Sequence, residues 1–178
     1  MLRDYLPVFH ILEPQNLKGI HGGHIVAQRP VKYTETGDVY GVATVTKGTA
    51  KFIENGVIMG LDADGYLVNH DEAITGAPKI IHFTEELPTI LKAKNTWALE
   101  CAKGETYPRG IILEVGDEFV TDNVATSAAL DAEGKGYATV VGGILKVVAA
   151  EPEAGADFAV YADTLPTGED AYHFIVLK

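Results

Sequence analysis

Short β-branched runs, each closed by a Gly-, Asn- or Asp-containing turn and recurring at roughly 8–12-residue spacing, leave this chain few folds other than a β-sandwich or β-barrel. The stretch Tyr107–Val124 shows the pattern at its densest. Ile111-Ile-Leu-Glu-Val115 is an apolar run with no helix-cap signal and reads as a buried strand. Gly116-Asp117 supplies a residue free to take positive φ and a carboxylate that can accept from nearby backbone N–H groups, the chemistry of a tight reversal. Phe119-Val-Thr121 resumes the extended pattern, and Asp122-Asn123 closes it.

The same alternation runs along the chain. Val31–Thr34 and Asp38–Thr46 read as strands about a Thr36-Gly-Asp38 turn, with Tyr40, Val42 and Thr44 on one face and Val39, Ala43 and Val45 on the other. Asn55-Gly56, inside Ala50–Met59, predicts a two-residue type I′ hairpin. Asp64-Gly65 predicts a second hairpin, between Val57-Ile-Met59 and Tyr66-Leu-Val68. Lys79–Phe83, Tyr137–Val141, Ile144–Ala149, Phe158–Tyr161 and Tyr172–Leu177 complete the strands, with Gly142-Gly143 as a turn and Ala125–Gly136 as a small-residue loop. No long window carries a 3.6-residue period. Only Thr84, with Glu85 and Glu86 behind it, resembles a helix start, and Pro88 limits it to a short helix over Leu87–Lys94.

Residues 1–18 break the pattern. Leu2, Tyr5, Leu6, Val8, Phe9, Ile11 and Leu12 are apolar but aperiodic, and Pro7 and Pro14 exclude a long helix or a regular strand. The expectation is an extended N-terminal arm whose apolar residues are assembly contacts, packed on its own domain or on a neighbouring subunit. Residues 19–178 then form one β-rich domain. The fold class is all-β or mainly β, an antiparallel sandwich or barrel with at most one or two short helices.

Net charge is −11, and the 14 Lys and Arg are scattered, so a grip on a phosphate backbone is not expected. No apolar run approaches the roughly 18 residues of a membrane span. Asp4, Pro7 and His10 interrupt what a secretory leader would need, which predicts synthesis in a cytoplasm-like compartment. Cys101 is the only cysteine, so no disulfide framework is expected, and its apolar setting reads as a small buried hydrophobe.

The search for chemistry returns little. Ser127, the only serine, does not sit in a nucleophile elbow, and the six histidines form no zinc-hydrolase or deaminase motif. Gly22-Gly23 matches neither phosphate-loop pattern. His21 and His24 lack a carboxylate at useful spacing. Adjacent acids such as Glu85-Glu86, Asp71-Glu72 and Asp117-Glu118 would face opposite sides of a strand. Asp62, Asp64, Gly65 and Asp71 overlap part of a calcium loop, but aligning Gly65 with its invariant glycine puts Gly60 first and Asp71 last. Trp97 reads as core. No catalytic residue, metal or cofactor is expected.

Pro108-Arg109, the strand behind it and Val115-Gly-Asp-Glu-Phe-Val-Thr-Asp-Asn123 resemble small phage virion proteins, in which an arginine-led strand precedes a G-D-x-F-T-T-N turn. Val120 and Asp122 depart from that pattern. Ile144–Val148 and the closing Phe174–Leu177 strand look similar too, so the resemblance covers about the last seventy residues. It implies a non-enzymatic capsid auxiliary or decoration (head) protein. Its partners would be major capsid or other virion proteins and other copies of itself, with neither nucleic acid nor membrane. It would reside on the virion surface after synthesis in the host cytoplasm. The alternatives kept open are a carbohydrate- or calcium-binding β module, a tail or fibre component and a small hydrolase.

Overall fold

The computed structural model describes residues 17–21, 26–47, 49–83, 98–104, 106–165 and 168–178. Its strands are, in order, β1 (Leu17–His21), β2 (Val26–Gln28), β3 (Lys32–Tyr33), β4 (Val39–Tyr40), β5 (Val45–Lys47), β6 (Ala50–Glu54), β7 (Ile58–Leu61) and β8 (Leu67–Asn69). Then follow β9 (Ile80–His82), β10 (Ala98–Cys101), β11 (Arg109–Ile112), β12 (Glu118–Thr121), β13 (Lys135–Val141), β14 (Ile144–Val148), β15 (Phe158–Thr164) and β16 (Asp170–Val176). A single 3-10 turn, His70–Glu72, is the helical content of the described residues.

All strand-to-strand pairings are antiparallel. β1-β12-β16-β15-β13-β14 form a six-stranded sheet and β2-β11-β9-β7-β8 a five-stranded one, while β10-β6-β5 and β3-β4 make two smaller sheets. The five-stranded sheet is the middle layer, because its strands bury both faces. Ile58, Ile81 and Ile111 sit side by side across β7, β9 and β11 and join the core shared with the six-stranded sheet. Their neighbours Met59, Ile80 and Ile112 face the opposite way, into a second core with Val31, Val42, Ile53 and Leu67. Antiparallel sheets commonly keep one wet face and so alternate in sequence; this one reads as unbroken apolar pairs because neither face is wet. The protein is therefore mainly β, an antiparallel sandwich with a smaller β layer on its far side.

The first core centres on three fully buried phenylalanines. Phe119 and Phe174 stack with ring centroids 5.1 Å apart, and Phe158 meets both edge-on, at 5.8 and 5.9 Å. Such geometries suit the ring quadrupoles and bring three strands of one sheet into register.

Several turns match their sequence signals. Gly142 and Gly143 both take positive φ, 58° and 74°, closing the β13–β14 hairpin with two residues. Asp71 accepts from both of their N–H groups, at 2.8 and 3.1 Å, and pins the hairpin tip to the 3-10 turn. The Asp64-Gly65 turn does join two paired strands, β7 and β8.

Three readings are corrected. Asn55-Gly56 is not a hairpin turn, since β6 pairs with β5 and β10 while β7 pairs with β8 and β9. It is a buried corner between layers. Gly56 at φ +89° leaves no room for a side chain, whose Cβ would lie 2.8 Å from Thr121 Oγ1. The strand expected over Asp38–Thr46 breaks after Tyr40, where Gly41 takes φ +78°, and resumes at Val45. The strand expected to reach Val115 ends at Ile112, and Val115 is 72 % exposed in the turn. Asp117 plays its anticipated part there, its carboxylate accepting from the Glu114 N–H. The turn carries the chain from β11 in the middle layer to β12 in the six-stranded sheet.

Candidate binding pocket and assembly surfaces

The residues expected to make assembly contacts, Leu2, Tyr5, Leu6, Val8, Phe9, Ile11 and Leu12, lie outside the described residues, as do His24, Trp97 and the short helix expected over Leu87–Lys94. What is described begins at β1, which pairs with β12 and stands at one end of the six-stranded sheet. The opposite end, β14, is covered. Val124 bridges to Leu145, and Ala125 and Ala129 donate to the Leu145 and Val147 carbonyls at 2.9 and 3.3 Å, so the small-residue loop caps that edge. Among the described residues no strand pairs with the outer side of β1.

The outer face of the six-stranded sheet carries a row in register across four strands: Ile175, Ala159, Tyr137 and Val148, all half-buried. Glu118 continues the row on β12 and pairs with His173 Nε2 at 3.3 Å.

The partial calcium loop is occupied by the protein's own cation. Lys32 Nζ lies 2.6 Å from Asp62 Oδ2 and 2.9 Å from Asp64 Oδ2, and 4.9 Å over the Tyr66 ring. These hydrogen bonds raise the lysine pKa and lower that of Asp62. Asp62 Oδ1 accepts from the Asp64 and Tyr66 N–H groups, both at 2.9 Å, so this carboxylate shapes the turn. Asp71, the last position of the supposed loop, is engaged with the Gly142-Gly143 tip instead. Among the described residues no group of three or more His, Cys, Asp or Glu is arranged to hold a metal ion.

Two potentially reactive side chains are a half-buried cysteine and a fully buried histidine. Burial pushes the Cys101 thiol up to about 11, opposed in part by the Ile53 backbone, so at neutral pH it is a thiol and not a nucleophilic thiolate. His82 is fully buried and its pKa is pushed down to about 4, chiefly by desolvation, against the backbone of Arg109 and Ile53. Nδ1 lies 3.0 Å from the Arg109 carbonyl, so the neutral ring carries its proton there, and Nε2 is enclosed with no hydrogen-bond partner among the described residues. Ser127 is exposed in the capping loop.

One pocket, of about 230 Å³, opens where the layers meet. Thr44 and Val45 border it from the entry to β5, Glu54 and Val57 from either side of the buried corner, Asn123 from the end of β12 and Ile144 from the start of β14. Asn123 is fixed there, its Nδ2 donating to the Asn55 carbonyl at 2.8 Å. Beside it, Asp122 has its carboxyl pushed up to about 6 by burial, with the negative charges of Glu169 and Glu54 adding to the effect and its own backbone amide opposing it. Its Oδ1 is buried without a hydrogen-bond partner among the described residues. Sequence reasoning treated Asp122-Asn123 only as a turn and gave Glu54 no role. Nothing in the local sequence links positions 44, 54, 123 and 144.

Comparison with protein-family models, with curated proteins and with solved structures gave no match.

Proposed function

We propose that this chain is a non-enzymatic phage virion structural protein, a capsid auxiliary or decoration protein that binds and stabilises neighbouring capsid subunits. The observation that carries the reading is the position of β1. It ends the six-stranded sheet, and the chain in front of it holds Leu2, Tyr5, Leu6, Val8, Phe9, Ile11 and Leu12 with two prolines. An apolar, aperiodic segment attached to a sheet edge is well placed to bury its side chains on a neighbour and to extend the sheet across a subunit boundary. The resemblance to virion proteins carried by residues of β11, β12, β14 and β16 points the same way. Many copies around a symmetry axis would make weak individual contacts cooperative.

The test is the mass of the full chain by light scattering over a concentration series, with virion-like particles present and absent, beside a variant lacking residues 1–12. The expected result is a trimer or larger closed ring, or co-sedimentation with particles, that the truncation abolishes. A monomer that ignores particles at every concentration, or assembly unaffected by the truncation, would refute it.

A further inference from the structure

The pocket at the layer junction is smaller than the ~300 Å³ at which drug-sized ligand sites begin, so its occupant is of side-chain size. Its walls are mostly apolar: Val45, Val57 and Ile144. Its polar groups are Thr44, Asn123 and one carboxylate, Glu54. Glu54 has no side-chain partner among the described residues, and one of the two Asn123 amide N–H groups is committed to the Asn55 carbonyl. Among the described residues no Lys, Arg or His lines the pocket, and the whole chain carries −11. A hydrocarbon stem ending in a cation answers both features, since lysine buries its methylenes along apolar surface and keeps its ammonium at a polar rim.

We infer that this pocket receives a lysine side chain from a partner polypeptide, its stem against Val45, Val57 and Ile144 and its ammonium on Glu54. This goes beyond the virion reading and does not depend on it. A subunit of another kind of assembly would use the site in the same way. Lysine is preferred over arginine because its ammonium is a compact point charge on an unbranched four-carbon stem, which a pocket of about 230 Å³ admits more readily than a broad planar guanidinium. Val45 lies on β5, the end strand of its sheet, so a partner chain can approach without displacing a neighbour among the described residues.

The experiment uses the 15N-labelled full chain at low salt, titrated with N-acetyl-lysine methylamide and with its uncharged counterpart N-acetyl-norleucine methylamide. Amide shifts at Val45, Val57, Asn123 and Ile144 are followed. The lysine probe is expected to bind weakly and about three- to fivefold more tightly than the norleucine probe, the size of a partly exposed ion pair. Glu54→Gln should erase that difference. Val45→Asp, which adds a carboxylate at the rim on a partly exposed residue, should widen it. Equal binding of the two probes, shifts mapping elsewhere, or a preference that survives Glu54→Gln would overturn the assignment. So would 1,5-diaminopentane binding more than tenfold tighter than the lysine probe, which would assign the pocket to free polyamines.

Discussion

His82 makes the acid sensitivity of this fold a quantitative matter. Its imidazole is fully buried in β9 with a pKa of about 4, whereas in the unfolded chain it titrates near its ordinary 6.5. Between those values the unfolded chain binds the extra proton, so stability rises with pH there. The contribution is intact above the unfolded pKa, declines as pH falls below 6.5, and is fully lost below about 4. At 1.36 kcal/mol per pH unit, the loss between pH 7.5 and pH 5 is about 2 kcal/mol. The perturbation is His82→Asn, whose side-chain N–H can still reach the Arg109 carbonyl but does not titrate. Denaturant unfolding of both proteins at the two pH values separates the effects. Lost packing costs the variant a similar amount at each pH, and carboxylates that titrate in both proteins cancel in the difference. The stability advantage of the wild type over the variant should therefore shrink by about 2 kcal/mol on going from pH 7.5 to pH 5. An advantage constant with pH would mean that His82 is hydrated or charged in the folded protein, and the reasoning would fail.

Asp122 should act in the opposite direction. Its folded pKa of about 6 lies above the ordinary 3.8, so its contribution is present below 3.8 and is lost as pH rises through 6. Asp122→Asn should accordingly be more stable than the wild type at pH 8, with the gap closing by pH 4 in thermal melts; a gap that widens on acidification would contradict this. Gly110→Ala should cost about 1–3 kcal/mol in chemical denaturation. The added Cβ would fall 2.4 Å from Ile80 Cγ2 and 2.8 Å from the Ile81 carbonyl oxygen, in a middle layer that has no free face to relax into. Phe174→Ala removes the ring that both stacks on Phe119 and receives Phe158, and a loss of about 3–5 kcal/mol is expected from the midpoint shift. Calcium should leave the melting temperature unchanged, because Lys32 holds Asp62 and Asp64; a calcium-dependent rise that Asp62→Asn removes would show that the lysine can be displaced.

Much of the strand content was legible. Residues 80–82, 119–121, 137–141, 144–148, 158–161 and 172–176 are extended where their β-branched and aromatic runs place them, and Gly142-Gly143 turns as its two unhindered residues allow. Cys101, read as a small buried hydrophobe, is half-buried against the second core, and burial raises its thiol pKa. The pocket was not legible, since a local window cannot see that Thr44, Glu54, Asn123 and Ile144 meet. The calcium-like spacing misled for a related reason: the cation that satisfies Asp62 and Asp64 is Lys32, thirty residues upstream of the first of them.

The contrast between two similar turns shows where sequence stops. Asn55-Gly56 and Asp64-Gly65 carry the same local signal, a residue tolerant of tight geometry followed by a glycine at positive φ, and both turn the chain. Only the second joins paired strands. Local chemistry sets a turn because it acts through the φ/ψ preferences and hydrogen bonds of a few residues. Which sheet the next strand enters depends on the apolar surface available to it across the whole molecule. So the sequence by itself determined that this is a β protein, where most of its strands run, and that its surface is acidic. The tertiary structure alone decided that Ile58 and Met59, Ile80 and Ile81, and Ile111 and Ile112 face two different cores, because burial on both sides of a strand exists only once layers have packed on each.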